Sequence, residues 1–125
     1  MSVLIDTDIL IEVLRGKNAD VSSKWVELSE SGTLVVYSPV TVAELWAGIR
    51  PKEESAVKAF VEKLVCVSIS DEIGRRAGAY LQAFHKSHAL ELGDTLIAAT
   101  AVMSEAQLWT RNRKHYPMRD IKFFA

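Results

Sequence analysis

Short all-apolar runs alternate with helix-period segments along the chain. Val3-Leu4-Ile5 has the character of a strand buried on both faces. Ile9, Leu10, Val13 and Leu14 then recur at helical spacing up to Gly16, a favourable residue just past a helix end. A second helix is expected over residues 21–29, with Trp25 and Leu28 on one face and Gly32 as its stop. Leu34-Val35-Val36-Tyr37 follows as a second buried strand, ended by Pro39. Thr41-Val42-Ala43-Glu44 has the form of a capping box, in which a Thr hydroxyl and a Glu carboxylate satisfy free N–H groups, so a helix is predicted through Leu45, Trp46 and Ile49. Pro51 suits the first turn of another helix, carrying Ala56, Val57, Phe60, Val61 and Leu64 ahead of a third strand, Val65-Cys66-Val67. Ser70 caps a further helix with Asp71 and Glu72 in its first turn, where the helix dipole favours acids, and the pattern extends to about His88. Gly93-Asp94 opens the most apolar helix, residues 95–103, whose alanines allow close packing on a sheet. Gln107-Leu108-Trp109-Thr110 reads as a fourth strand, residues 111–119 as a basic loop, and Ile121-Lys122-Phe123-Phe124 as a short terminal strand.

This alternation predicts an α/β fold, a three-layer α/β/α sandwich around a mainly parallel sheet of four to five strands. At 125 residues, one domain spanning 1–125 is expected, and 49% hydrophobic with 25% charged residues excludes a disordered chain. The formal charge of −1 supplies no global attraction to nucleic acid, so a polyanion partner requires a local basic patch or bound metal. Cys66 is the only cysteine, which rules out an internal disulfide and suits a reducing cytoplasm; its apolar neighbours predict a small buried hydrophobe. No basic start leads into a long apolar segment, so no signal peptide is expected, and the apolar stretch 96–103 is too short to cross a bilayer.

The acids change the picture. Asp6 ends the first strand with Asp8 two residues on, while Glu44 and Asp94 each open a later apolar helix. Strand ends and helix starts collect at one rim of an α/β sheet, the rim where ligands bind. Capping alone accounts for Glu44 and Asp94 taken singly, but not for Asp6, an acid partly desolvated at a strand end. Converged, Asp6, Glu44 and Asp94 would offer hard oxygen ligands without paired histidines or cysteines, which favours Mg²⁺ or Mn²⁺ over zinc. Phosphodiester hydrolysis is the natural use of such a site, since the cation both activates water and screens the substrate's charge.

Four blocks in order, Ile5-Asp6-Thr7-Asp8-Ile9-Leu10, Thr41-Val42-Ala43-Glu44-Leu45, Gly93-Asp94-Thr95-Leu96-Ile97-Ala98-Ala99-Thr100-Ala101 and Leu108-Trp109-Thr110-Arg111-Asn112, resemble the PIN-domain family and, more narrowly, its VapC-type toxin ribonucleases. The resemblance covers essentially the whole chain. It implies a Mg²⁺- or Mn²⁺-dependent endoribonuclease, usually the toxin of a type II toxin–antitoxin pair, commonly a homodimer and inhibited by a small DNA-binding antitoxin of the VapB type. By position, the family's metal-binding acids fall on Asp6, Glu44 and Asp94. The family's last block usually reads Thr-x-Asn-x-x-Asp-Phe, whereas this chain has His115-Tyr116 in its final two places. The second metal is thereby put in question, or its ligation shifts to water, Asp8 or Thr110; Thr110 or Asn112 is expected to orient a ligand or water, and Asp8, Asn112 and His115 to support the site.

Arg111, Arg113 and Lys114, with His115 and Arg119, are candidates for RNA phosphate contacts, with Tyr116 as a stacking surface and Arg15 and Lys17 near the same rim; a solvated charged loop is the competing reading. Apolar residues of the first helices, such as Ile9, Val13, Leu28 and Trp46, offer a groove for an antitoxin segment or simply core. Two other functions stay open. A catalytically decayed PIN-fold binding module is supported by the missing fourth acid. A haloacid-dehalogenase-like phosphatase is suggested by the apolar strand before Asp6-Thr7-Asp8, but the late acidic pair it requires is absent.

Overall fold

Strand β1 (Ser2–Ile5) lies inside the sheet, and its C-terminal end leads directly into Asp6 and the first helix. In the computed structural model, which describes residues 1–125, helices α1 (Thr7–Arg15) and α2 (Ala19–Glu30) follow it, then β2 (Leu34–Tyr37), α3 (Pro39–Gly48), α4 (Glu54–Val61), β3 (Val65–Cys66), α5 (Asp71–His88), α6 (Leu92–Met103) and β4 (Ala106–Trp109). The four strands form one parallel sheet in the order β3-β2-β1-β4. The order reverses between β1 and β4, so the crevice at the C-terminal ends of that pair is a topological switch point, where open α/β sheets bind ligands.

Strand alternation divides the core in two. Leu4, Val36 and Leu108 face α5 and α6, where Ile73, Ala77, Ile97, Ala98 and Ala101 complete a cluster of 15 buried residues. Val3, Ile5, Val35, Tyr37 and Trp109 face the other way, with Ile9, Leu10, Leu28, Leu45 and Val61 from α1 to α4, in a cluster of 11. Helices therefore cover both faces of a sheet whose middle strands are apolar on each side, as expected for parallel pairing.

Several local expectations are corrected. α3 begins at Pro39 with Ser38 as its cap, the Ser38 hydroxyl accepting from the Val40 N–H at 3.1 Å. Ser followed by Pro at the first helical position is a strong start, and it places Thr41 and Glu44 inside the helix, so the Thr41–Glu44 capping box does not form. α6 likewise begins three residues early, with Glu91 as cap and Asp94 in the first turn. Cys66 is exposed, because β3 is only two residues long and lies at the sheet edge with nothing beyond it. The terminal strand is reduced to a single bridge, Leu108 with Phe123, held by Leu108 N–H to the Lys122 carbonyl at 2.8 Å and Phe124 N–H to the Leu108 carbonyl at 2.9 Å. No helix is long and apolar enough to cross a membrane.

Candidate functional site

Asp6 stands where β1 becomes α1 and belongs to both. Its N–H donates to the Trp109 carbonyl at 2.9 Å, extending the β1–β4 ladder by one residue, and its own carbonyl takes the first helical bond from Leu10. One carboxylate oxygen, Oδ1, accepts from the Thr7 N–H at 2.8 Å, making Asp6 the cap of α1. Capping thus does apply to Asp6, contrary to the sequence reading, but it uses one oxygen only. Oδ2 accepts from the Thr110 hydroxyl at 2.8 Å and the Tyr116 hydroxyl at 2.9 Å, so this 7% exposed carboxylate is met from three sides by donors of its own chain.

Tyr116 is accordingly buried and oriented inward, not a stacking surface for bases. Burial, with the Asp6 charge beside it, pushes its phenol well above the ordinary range and keeps it a donor. Nothing in the basic run around Tyr116 signalled this contact, which depends on the 112–116 segment folding back over the end of β4 through a short turn at Arg113–His115.

Around Asp6 the other acids gather. Asp8, on the first turn of α1, accepts at Oδ1 from the Ile9 N–H at 2.7 Å, and at Oδ2 from the Arg111 N–H and the Asn112 side-chain amide, both at 3.0 Å. Glu44 reaches from α3 to accept at Oε1 from the Thr7 hydroxyl at 2.7 Å, and that hydroxyl also lies 3.0 Å from the Thr41 hydroxyl. Thr7, hidden between two acids in the sequence, is therefore the residue that ties α1 to α3. Asp94 enters from the first turn of α6. Asp6, Asp8, Glu44 and Asp94 all line one cavity of about 560 Å³, together with Thr7, Ile11, His88, Ala89, Glu91, Asn112 and His115.

Two carboxyls show the strain of this crowding. Burial, then the neighbouring Asp6 charge, raises Asp8 to about 6, against smaller opposing effects from the Arg111 and Ile9 N–H bonds. Asp94 is also raised, chiefly by burial, while the Glu91 N–H and the charge of His115 pull the other way. The acids share a cavity without meeting at a point: no three His, Cys, Asp or Glu side chains are gathered into a ready ligand cluster. In kind, the donors fit a hard divalent cation, being carboxylate oxygens in a cavity that no lysine or arginine lines.

The remaining candidates disperse. Thr110 lies against Asp6 rather than on the cavity, and Asn112 is bound to Asp8. Arg111 pairs with Glu12 at 3.5 Å, Arg113 stacks its guanidinium 4.8 Å from the Phe123 ring centroid, and Lys114 is exposed; none of the three lines the acidic cavity. Ile9 and Leu28 are buried core, which removes them from any groove, whereas Val13, Trp25 and Trp46 pack partly buried on the core margin.

Comparison with known proteins places this architecture. The PIN domain profile matches residues 3–121. Ribonuclease VapC19 of Mycobacterium tuberculosis is 36% identical over 116 residues, covering 92% of each chain. A toxin–antitoxin complex from Klebsiella pneumoniae contains a chain similar in structure, with a TM-score of 0.77 and 26% identity, over 96% of this chain and 95% of that one. VapBC2 from Rickettsia felis, solved with a promoter DNA fragment, gives a TM-score of 0.81 at 21% identity over 99% and 98% of the two chains.

Proposed function

The chain belongs to the PIN domain family, and on that premise we propose that it is an endoribonuclease dependent on Mg²⁺ or Mn²⁺, the toxin of a toxin–antitoxin pair. The observation that carries this reading is the convergence of Asp6, Asp8, Glu44 and Asp94 on one cavity at the β1–β4 switch point. The ribonuclease from Mycobacterium and the toxin–antitoxin complex from Klebsiella support it by likeness.

Asp6, Glu44 and Asp94 would hold the cation, with Asp8 and Glu91 as further carboxylates on the cavity. Bound there, a divalent cation supplies a nucleophile at neutral pH and neutralises phosphate charge. The chain's own residues fix the carboxylates. Thr110 and Tyr116 set the Oδ2 edge of Asp6, Thr7 holds Glu44, and Asn112 with the Arg111 N–H holds Asp8. Such supporting contacts orient metal-binding groups and are worth about 10–100-fold in affinity or activity.

A second cavity of about 770 Å³ opens beside the first, sharing Ile11 and Glu44 with it. The half-buried Ile11, Leu14, Ile49 and Val57 give it an apolar floor over the buried Leu45, and Arg15, Lys17 and Arg50, with Glu44 and Glu53 among them, give it a charged rim in which bases outnumber acids. This is the groove that would receive an amphipathic antitoxin segment, displaced from the one expected around Ile9 and Leu28. A homodimer belongs to the same proposal and is checked by light scattering.

The test is cleavage of defined RNAs with and without Mg²⁺ or Mn²⁺. Asp94→Asn is expected to lower the rate by about 100-fold or more, as loss of a group holding the catalytic charge does. The competing reading, a decayed binding module, is favoured by His115 in place of the usual acid and by the lack of a ready ligand cluster. It predicts no RNA cleavage and no thermal stabilisation by Mn²⁺, whereas an assembled site binds the ion and shifts the melting temperature upward.

A further inference from the structure

The acidic cavity is lined by five acids, Asp6, Asp8, Glu44, Glu91 and Asp94, and by no lysine or arginine. A phosphodiester held there needs N–H donors to its non-bridging oxygens if the strand is to keep one register. Three nitrogen-bearing side chains line the cavity: Asn112, His115 and His88. Asn112 gives its amide to Asp8 at 3.0 Å, and His115 stands where its charge favours the ionised form of Asp94.

His88 comes from elsewhere, the last residue of α5, outside all four blocks that carry the family resemblance. Its ring is placed by its own helix. It packs edge-on against Phe84, with centroids 5.9 Å apart at 79°, and its Nδ1 lies 2.6 Å from the Ser87 hydroxyl. Nε2 is left without a partner in the chain. The Ser87 hydroxyl also lies 3.2 Å from the Phe84 carbonyl; with its single proton turned to Nδ1 the neutral ring carries its own proton on Nε2, and with that proton turned to Phe84 the ring donates from Nε2 when both its nitrogens are protonated. The turn that follows ties His88 to the site. Ala89 takes a left-handed conformation (φ 49°) and closes α5 through its N–H to the His85 carbonyl, Leu90 drops into the core, and Glu91 caps α6, the helix that bears Asp94.

We propose that His88 is a substrate-contacting residue whose imidazole N–H binds a phosphate oxygen of the RNA strand in the acidic cavity, an inference that rests on the nuclease reading above. The experiment pairs binding of a labelled single-stranded RNA in Ca²⁺, read by fluorescence anisotropy, with steady-state cleavage in Mn²⁺. His88→Phe keeps a ring against Phe84 and removes the N–H; His88→Gln removes the ring and keeps a donor. Expected for His88→Phe is a rise of about tenfold in RNA Kd and in KM, the usual size for a lost hydrogen bond to a charged group, with kcat and the Mn²⁺-induced melting shift unchanged. His88→Gln is expected to stay within about threefold of the unaltered chain. An unchanged Kd in His88→Phe, or equal damage in the two variants, overturns the contact. Cleavage by the unaltered chain with His88→Phe unaffected removes the contact and spares the nuclease. RNA binding without cleavage, still weakened only by His88→Phe, removes the nuclease and keeps the contact, and absence of RNA binding removes both.

Discussion

The two cavities that meet at Ile11 and Glu44 are built on opposite principles. The first concentrates five carboxylates at the end of a buried parallel strand pair and holds no lysine or arginine; the second sets Arg15, Lys17 and Arg50 against only Glu44 and Glu53 around an apolar floor. Ionised acids in the first are a cost to the folded chain, seen in Asp8 and Asp94: burial foremost raises both carboxyls, the Asp6 charge comes next for Asp8, and an entering cation would offset that cost. The second carries no such tension, and its apolar residues gain by being covered. A site that stores repulsion suits chemistry on a polyanion, and a site that stores exposed apolar surface suits a protein segment. Glu44 and α1 border both, so an occupant of one is positioned to affect the other.

The sharpest way to break the contrast is at Tyr116, whose hydroxyl helps to fix Asp6 at the first cavity. Tyr116→Phe leaves the ring buried and removes only the hydroxyl bond to Asp6. The expected result is a cleavage rate about tenfold or more lower, the usual effect of losing a group that orients a metal-binding carboxylate. The metal-free fold should lose about 1.5–3 kcal/mol, the range for a buried hydrogen bond to a charged group, read by urea unfolding. An unchanged rate would show that Thr110 alone orients Asp6. The resemblance makes this variant informative for another reason: the family's usual Phe at this position has no hydroxyl, so the bond belongs to this chain's particular His115-Tyr116 pair.

That Asp6, Glu44 and Asp94 share one rim is legible in the sequence. Asp6, Glu44 and Asp94 follow or open apolar elements, and the topology of alternating strands and helices leaves one edge for such positions. What stayed hidden was whatever depends on side-chain direction across long separations. Thr7 meets Glu44 37 positions away, and Tyr116 meets Asp6 110 positions away; neither contact leaves a periodic trace. The Thr41–Glu44 pattern misled because Ser38-Pro39 is a better helix start lying just upstream. Cys66 misled because an apolar triplet looks the same in a central strand and in a two-residue edge strand, and only sheet order separates them. His88 gave no signal at all, since a histidine in the last turn of a helix is already explained by the dipole.

Asp8 gives a second test of the contrast, through pH. Its folded carboxyl is pushed up to about 6, well above the ordinary aspartate range, so the folded chain holds this proton more tightly than the unfolded one. Stability from this group is therefore greatest below about pH 4, declines as pH rises toward 6, and stays reduced above it. The metal-free chain should show this decline in melting temperature between pH 4 and 6, and Mn²⁺ should remove it at the upper end by supplying the missing positive charge. Asp8→Asn should flatten the profile. A melting temperature that rises steadily through the same interval, with and without Mn²⁺, would contradict the account of crowded charge at this rim.

The smallest expected effect lies on the ridge between the cavities. One oxygen of Glu12 lies 3.6 Å from Arg15 and 3.5 Å from Arg111, so a single carboxylate on α1 is shared by two guanidinium groups that stand largely in solvent. Arg15 borders the second cavity, and the Arg111 backbone binds Asp8 in the first. Long pairs whose arginine ends stand about half or more in solvent contribute about 0–1 kcal/mol each, so Glu12→Ala should barely move the melting temperature. Its consequence is electrostatic: with the carboxylate gone, both arginines are released toward phosphates passing along the ridge. RNA affinity should rise by a few-fold, and the dependence of log K on log salt concentration should steepen by about 0.7 for each added phosphate contact. Anisotropy titrations at three salt concentrations decide it. A steeper slope places the ridge on the RNA path and extends the polyanion surface beyond the acidic cavity, while an unchanged slope confines RNA to that cavity and leaves the basic rim to a protein partner.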